Sequence, residues 1–387
     1  MGWTHHGHDA AESPGGAVIL RGVLPAVAFG SMLVAQGPDS AEKSGSPNAA
    51  PFRISGFVTT SYTYASQPDN GTIVGRMYGR RQARVVLNVA DVVMERRAAL
   101  DRWDFGFRFE PILGLNAAVV RAGGLDLGRH ADLWQGYGVL SVPAGKDRSL
   151  SIKAGKMATL MGVEVFADIE NPTLEVGTQD IFLEPFSETG VELEASLGPA
   201  LIAQLRVSQG WDRVSDNNSG KTATVRLGIT PDANTLVALL AYSGPEQAGS
   251  TLHSRSGAQV LLADLITPRL RGWLQLDYGR EGGAGAGTGD AEWYAAGVWL
   301  AYQLSHWTGL GVRADYVCDC NGGRTGGGLG YPVHSGQNFT SLTGTLNVRH
   351  GAHLLLRPEI RFDGSTLPVF HGHRQQVSGG LGLSYIF

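Results

Sequence analysis

Cysteine, charge and long apolar runs are all scarce in this sequence. Only two cysteines occur among the 387 residues, which fits a protein exported from a bacterial cytoplasm. Charged residues account for 17% of the chain, and the formal net charge of -4 provides no basic footprint for binding nucleic acid. No apolar, uncharged stretch reaches the roughly 18 residues that a membrane-spanning helix needs. The sequence therefore indicates neither a multi-span helical membrane protein nor a nucleic-acid-binding protein.

Glycine is the residue that the sequence has in excess, with 55 occurrences and no collagen-like period. Glycine is poor in soluble strands, but it suits tight turns and the close approach of strands in curved barrels. The hydrophobic content of 43% is ordinary. In a membrane barrel apolar and polar residues alternate, so the average hydropathy resembles that of a soluble protein.

One short apolar run, residues 22–36, follows Arg21 near the N terminus. It is too short to span a membrane comfortably and has the composition of the hydrophobic region of a secretory signal peptide. We predict a signal peptide over 1–36, with an N-terminal membrane anchor as the alternative. Residues 37–52 are polar and are predicted to form a disordered connector.

The end of the chain carries the strongest structural signal. From Val377 to Phe387 every second residue is apolar or glycine, and the residues between them are small or polar apart from Ile386. This period of two indicates a strand with one face towards lipid and the other towards a wet or crowded interior. A final aromatic residue after such a strand is typical of bacterial outer-membrane barrels. Tyr385 and Phe387 are therefore expected to form a barrel-assembly signal; the alternative is a soluble sheet that happens to end in phenylalanine.

The same alternation recurs from Arg53 onward, and short turns alternate with long polar or glycine-rich loops. Strands are predicted near 53–65, 80–94, 103–115, 131–142, 149–157, 187–197, 200–210, 221–230, 233–243, 255–265, 269–279, 291–303, 306–317, 336–350, 351–363 and 375–387. Outer-membrane barrels have short periplasmic turns and long external loops. The predicted fold of 53–387 is thus all-β: a transmembrane antiparallel up-and-down barrel of about sixteen strands, with fourteen or eighteen as alternatives.

Aromatic residues lie near the predicted strand ends, where interfacial girdles would need them. They are Tyr62, Tyr64, Trp103, Tyr242, Tyr278, Trp293, Tyr294, Tyr302, Trp307, Tyr316, Tyr385 and Phe387. The alternative is core packing in a soluble sheet.

The longest connection, 158–186, is a candidate constriction loop because it contains acids, including Glu164, Asp168 and Glu170, and no basic residue. The predicted lumen-facing basic residues are Arg84, Arg108, Lys153, Arg206, Arg226, Arg313, Arg357 and Arg361. An acidic loop opposite a basic wall would set a transverse field that sorts solutes by charge and orientation. Alternatively, the basic residues pair with lumen acids and fill a narrow, closed barrel. Those acids are Glu110, Glu192, Glu194, Asp277, Asp315 and Glu359.

No pattern indicates catalysis, a cofactor or a metal. A Gly-x-Ser-x-Gly nucleophile elbow is missing, and no predicted helix follows the glycine-rich segment 282–287. Cys318-Asp-Cys320 supplies only half of a structural zinc set. A disulfide or free thiols are favoured there over a metal site. We expect neither enzyme activity nor a cofactor.

Several segments resemble the bacterial family of putative β-barrel porin-2 proteins, which are OmpL-like outer-membrane porins. The similar segments are 56–62, 86–96, 103–108, 154–164 and 184–191. The resemblance covers nearly all of 53–387 and implies a porin-type barrel, with no catalytic or ligand residues to carry over. The Gly- and Arg-rich segment 75–84 and the Cys-Asp-Cys loop depart from the family pattern.

Together these features lead us to expect a passive, water-filled porin for small hydrophilic solutes or ions in the bacterial outer membrane. Expected partners are outer-membrane lipid, the barrel-assembly machinery and, by analogy with general porins, two further copies in a homotrimer; nucleic acid is not among them. The alternative is a non-conducting barrel that acts as an anchor or adhesin through its outer loops.

Overall fold

A closed antiparallel barrel accounts for most of the chain. The computed structural model describes residues 52–68, 70–145, 147–287, 289–326 and 335–387. The predicted signal peptide, and the predicted connector apart from Phe52, lie outside the described residues.

Sixteen strands form the barrel within the described residues, each paired with its neighbours along the chain. They are β1 (Arg53–Ala65), β2 (Val85–Arg96), β3 (Asp104–Leu113), β4 (Ala131–Pro143), β5 (Arg148–Ala158), β6 (Ser187–Leu197), β7 (Leu201–Trp211), β8 (Thr222–Ile229), β9 (Thr235–Gly244), β10 (Arg255–Thr267), β11 (Leu270–Glu281), β12 (Ala291–Gln303), β13 (Thr308–Asp319), β14 (Gln337–His350), β15 (Leu354–Ser365) and β16 (Gln375–Ile386). Pairing of β1 with β16 closes the barrel and leaves no free edge. The predicted fold class and the count of sixteen are confirmed.

The largest boundary error concerns β2. The sequence predicts a strand from residue 80, but β2 begins at Val85 because the residues before it fold inward as a loop. The backbone N–H groups of Tyr78 and Gly79 donate to the carboxylate of Glu175, on the connection between β5 and β6. These bonds hold Tyr78 and Gly79 against the connection between β5 and β6, inside the barrel.

Helices are short. Within the described residues they comprise α1 (Ala117–Val120), α2 (Thr178–Leu183) and one 3₁₀ turn at Asp168–Glu170. None of the helices in the described ranges is long and apolar enough to cross a lipid bilayer.

The outer face of the barrel is an apolar belt, and β12 shows how the alternation produces it. Tyr294, Val298 and Leu300 point outward and are exposed, whereas Trp293 and Trp299 point inward and are buried. Trp293 and Tyr242 were predicted in the interfacial girdle, and that placement is wrong. Both rings pack inside the barrel, because their strand positions share the inward parity.

A charge on this outer face should be destabilising in proportion to its depth. Leu276 projects outward from the middle of β11, and Leu354 does so at the first residue of β15. We expect Leu276→Arg to lower the free energy of unfolding by about 2–4 kcal/mol, and Leu354→Arg by at most about 1 kcal/mol, because only the former places the charge near the bilayer midplane. Urea titration of both variants in liposomes measures the difference. Equal losses would contradict this assignment of the lipid face.

Part of the barrel interior is apolar. Phe57, Val89 and Trp134 of the strands meet inward-folded loop residues in one buried cluster. The loop contributions include Met77, Tyr78, Phe166, Phe182, Val369 and Phe370. At the outer end of β13, Cys318 and Cys320 form a disulfide.

Candidate pore and its inserted loop

The connection between β5 and β6, residues 159–186, folds into the lumen; we call it the inserted loop. Its backbone N–H groups are bound by polar side chains that point inward from distant strands. Gly162 N donates to Gln259 Oε1 of β10 at 2.9 Å, and Thr178 N donates to Asp315 Oδ2 of β13 at 2.9 Å. A buried N–H needs an acceptor, so the inward polar faces of the strands determine where this loop lies.

Three predicted wall arginines anchor the inserted loop. Arg313 is fully buried, and its Nη1 lies 2.8 Å from Glu164 Oε1. Arg357 Nη1 donates to the carbonyl of Asp168 at 2.6 Å and lies 3.4 Å from its carboxylate. Arg361 Nη1 donates to the carbonyl of Val176 at 2.9 Å. These side chains therefore bind the loop instead of facing a water-filled lumen.

The predicted residues on β5, β7 and β8 form a second network along the barrel wall. Lys153 Nζ lies 2.9 Å from Glu192 Oε1, and Arg206 Nη2 lies 2.6 Å from Glu192 Oε2. Lys153 also pairs with Glu194 at 3.0 Å, and Arg226 donates to Gln204 Oε1 at 3.0 Å. These contacts join adjacent strands. They match the alternative stated above, in which the basic residues of the lumen pair with lumen acids.

The remaining predicted site residues divide into two groups. Arg108 and Glu170 line a cavity, and the Arg108 Nε atom lies 2.7 Å from Glu110 Oε2. Arg84 does not lie on a strand, since β2 begins one residue later, and its side chain is exposed. Arg84 was placed on an inward strand face because β2 was predicted to start too early.

An inner cavity of about 390 Å³ lies between the inserted loop and the wall formed by β1–β5. It includes Ser55, Glu95 and Phe387, which belong to the end of the barrel with the short turns. Its charged lining residues are Asp91, Glu95, Arg97, Arg108, Glu110, Glu164, Glu170 and Asp180. Carboxylates outnumber arginines in this lining.

An outer cavity of about 440 Å³ lies between the β1–β2 and β3–β4 loops. It is lined by Thr72, Met77, Tyr78, Arg80, Arg81, Leu115, Ala118, Val119, Arg121, Arg129 and His130. Burial and the nearby Arg81 guanidinium lower the pKa of Arg80, which lies outside the strands.

Met77 and Tyr78 line both cavities and therefore form the partition between them. The Tyr78 ring meets Phe166 edge-on at 6.4 Å, and Phe166 stacks on Trp134 at 4.3 Å. The Tyr78 hydroxyl donates to the carbonyl of Phe166 at 3.3 Å. Sequence reasoning missed these two residues, although it marked the segment 75–84 that contains them as unusual.

These features define the class of the protein. An apolar outer belt, a polar inward face and a loop folded into the lumen of a closed barrel are the architecture of an outer-membrane channel. The family model for "putative beta-barrel porin-2, OmpL-like" matches residues 51–387. The chain belongs to that family and is an outer-membrane porin.

Solved structures show the same fold at low sequence identity. The outer-membrane channel DcaP of Acinetobacter baumannii has a TM-score of 0.58 and 10% identity, over 88% of this chain and 99% of that one. An anion-selective porin from Comamonas acidovorans has a TM-score of 0.57 and 9% identity, over 87% and 99%. OmpT of Vibrio cholerae, in a structure described as its trimer form, has a TM-score of 0.55 and 11% identity, over 88% and 100%. A search among curated proteins finds none that matches the sequence.

Proposed function

We propose that this porin is a passive channel whose small hydrophilic solutes pass between the inserted loop and the β1–β5 wall. The path runs from the outer cavity, past Met77 and Tyr78, to the inner cavity. The observation that carries this proposal is that the same two side chains line a cavity on each side. Flux would follow the solute gradient, because the path needs no energy-coupling element.

In this proposal the inserted loop narrows the lumen. The predicted transverse field between this loop and the wall arginines is weak. Arg313 and Arg357 are buried against Glu164 and Asp168, so these pairs largely cancel one another at short range. Glu170 lines the inner cavity, and its carboxylate makes no ion pair or hydrogen bond with the described residues, so it is better placed to act on passing ions. We infer that selectivity arises from the acidic excess of the inner cavity.

Single-channel recording in a planar bilayer tests conduction. Open-channel steps would support the channel, and silence over many insertions would favour the anchor or adhesin. The apolar cluster inside the barrel is the observation that favours this second function. We propose no catalytic activity.

Glu170→Lys should weaken cation preference and move the reversal potential in a salt gradient towards that of chloride. The physical reason is that the substitution changes the sign of a lining charge where solvent screening is reduced. Glu292→Lys is the matched control, because Glu292 points outward near the start of β12. An equal shift in both variants, or none in Glu170→Lys, would reject the inner cavity as the selective part of the path.

We propose three kinds of partner for the barrel: outer-membrane lipid, the assembly machinery and further copies of the chain. The exposed apolar belt supports contact with outer-membrane lipid. Tyr385 and Phe387 are exposed at the end of the closing strand, where an assembly machinery could bind them. We also propose a homotrimer, for which the trimer form of OmpT is the supporting likeness. Native mass spectrometry of the protein extracted in mild detergent measures the subunit number.

A further inference from the structure

The outer cavity collects basic side chains from two separate loops. Arg80 and Arg81 come from the β1–β2 loop, whereas Arg121, Arg129 and His130 come from the β3–β4 loop. None of the described residues that line this cavity is a carboxylate, in contrast to the acid-rich inner cavity. Like charges gathered around one cavity repel each other, and a bound anion would relieve that repulsion.

Most of these arginines lack a partner. Within the parts of the chain that the structure describes, Arg80, Arg81 and Arg129 make no ion pair, and Arg121 approaches only the exposed Asp126, at 3.7 Å. The Nε atom of Arg80 is buried and has no hydrogen-bond acceptor in those parts. Arg76, four residues earlier, instead lies 3.5 Å from Glu359. A buried guanidinium N–H without an acceptor is unfavourable, so an acceptor from solution would be stabilised there.

The backbone around Arg80 and Arg81 is held in place. Glu175 of the inserted loop accepts the N–H groups of Tyr78 and Gly79, the two residues directly before them. Ile73 N donates to the carbonyl of Arg80 at 2.8 Å, and Thr72 and Arg81 form a β-bridge. The arginine side chains therefore project from an ordered segment, which lowers the entropy lost when a ligand binds.

We propose that the outer cavity is a binding site for small multivalent anions that carry phosphate or carboxylate groups. Arg80, Arg81 and Arg129 are the donors, and Met77 and Tyr78 form the floor. Guanidinium groups bind phosphate and carboxylate oxygens in pairs, and several of them around one cavity favour a ligand with several charges. The acidic excess of the inner cavity opposes onward movement of an anion, so a bound anion stays at the mouth and blocks the path. Binding does not require conduction, whereas the block rests on the proposed function.

Equilibrium dialysis with radiolabelled pyrophosphate tests the binding on the full-length folded protein in detergent. The test variant is Arg80→Gln/Arg81→Gln/Arg129→Gln. The matched control is Arg269→Gln/Arg271→Gln/Arg349→Gln, which removes three arginines that line a groove at the opposite end of the barrel. We expect the dissociation constant to rise at least about tenfold in the test variant, and to change less than about twofold in the control.

Measuring the block of channel current by the anion tests the proposed binding site separately from the proposed channel function. Pyrophosphate added on the side of the long loops should interrupt the wild-type current at concentrations about tenfold lower than it does in the test variant. Binding without any channel current would refute the proposed function and leave the site intact. Normal current with wild-type binding no tighter than that of the test variant would refute the site alone.

Phosphate groups of outer-membrane lipids have the same chemistry as the free anion. Copurification of lipopolysaccharide is the second arm of the experiment. Retention that depends on the three arginines, without pyrophosphate binding, would support the site and assign it to a lipid headgroup. If neither probe distinguishes the test variant from the wild type, the proposal is wrong.

Discussion

Replacing both Met77 and Tyr78 with alanine should raise the single-channel conductance at least about twofold, because an apolar constriction limits the hydration of the path. The two side chains separate the inner from the outer cavity, and shortening them would join the cavities into one water-filled passage. Liposome swelling with sugars of increasing size provides a second measurement, since the size limit should rise together with the conductance.

Two controls make this result specific. Tyr78→Phe keeps the ring against Phe166 and removes only the hydroxyl that donates to the Phe166 carbonyl, so its conductance should remain close to that of the wild type. Tyr278→Ala removes a tyrosine ring from the outer face, so its conductance should also remain close to that of the wild type. A folded double variant with unchanged conductance would show that Met77 and Tyr78 do not lie at the narrowest point.

Arg313→Met is expected to cause the largest loss of stability. The guanidinium is fully buried, lies 2.8 Å from Glu164 and 3.2 Å from Asp315, and also donates to Thr343 Oγ1 at 2.8 Å. Its removal leaves two buried carboxylates without their cation, which costs about 3–5 kcal/mol. Urea unfolding in liposomes measures this loss. Cleavage by a glutamate-specific protease after Glu164 reports whether the inserted loop has left its position.

The matched control is Arg226→Met, which removes a half-buried arginine whose one hydrogen-bond acceptor among the described residues is Gln204. It should cost only about 0.5–1.5 kcal/mol and leave the inserted loop protected. Adding Glu164→Gln and Asp315→Asn to Arg313→Met should recover part of the stability, because the isolated charges are then removed. If Arg313→Met loses no more stability than Arg226→Met, Arg313 does not anchor the loop.

Prediction from sequence was accurate for the strands and poor for the segments between them. The outer-face alternation in β11 or β16 is local, and each residue contributes to it independently of the rest of the chain. The segment 75–84 has no such period, and its end was assigned to a strand. Its fold depends on Glu175, whose carboxylate binds the Tyr78 N–H across 97 positions of sequence.

The candidate site shows the same division. Arg108, Glu164 and Glu170 were predicted to line the pore and do line the inner cavity. Arg313, Arg357 and Arg361 were placed on the correct faces of their strands, but the inserted loop covers them. Parity along a strand indicates which side chains point inward. It carries no information about which of them a distant loop will bury.

By itself, the sequence determined the closed barrel, its approximate number of strands and the alternation of inward and outward faces along them. Those properties follow from the alternation of apolar and polar residues along each strand and from the alternation of short and long connections. Only the tertiary structure decided where the lumen is filled, which charges are paired and which remain free to meet a solute. The reason is that these contacts join residues far apart in the chain, as Arg313 and Glu164 do across 149 positions, and no local pattern specifies such partners.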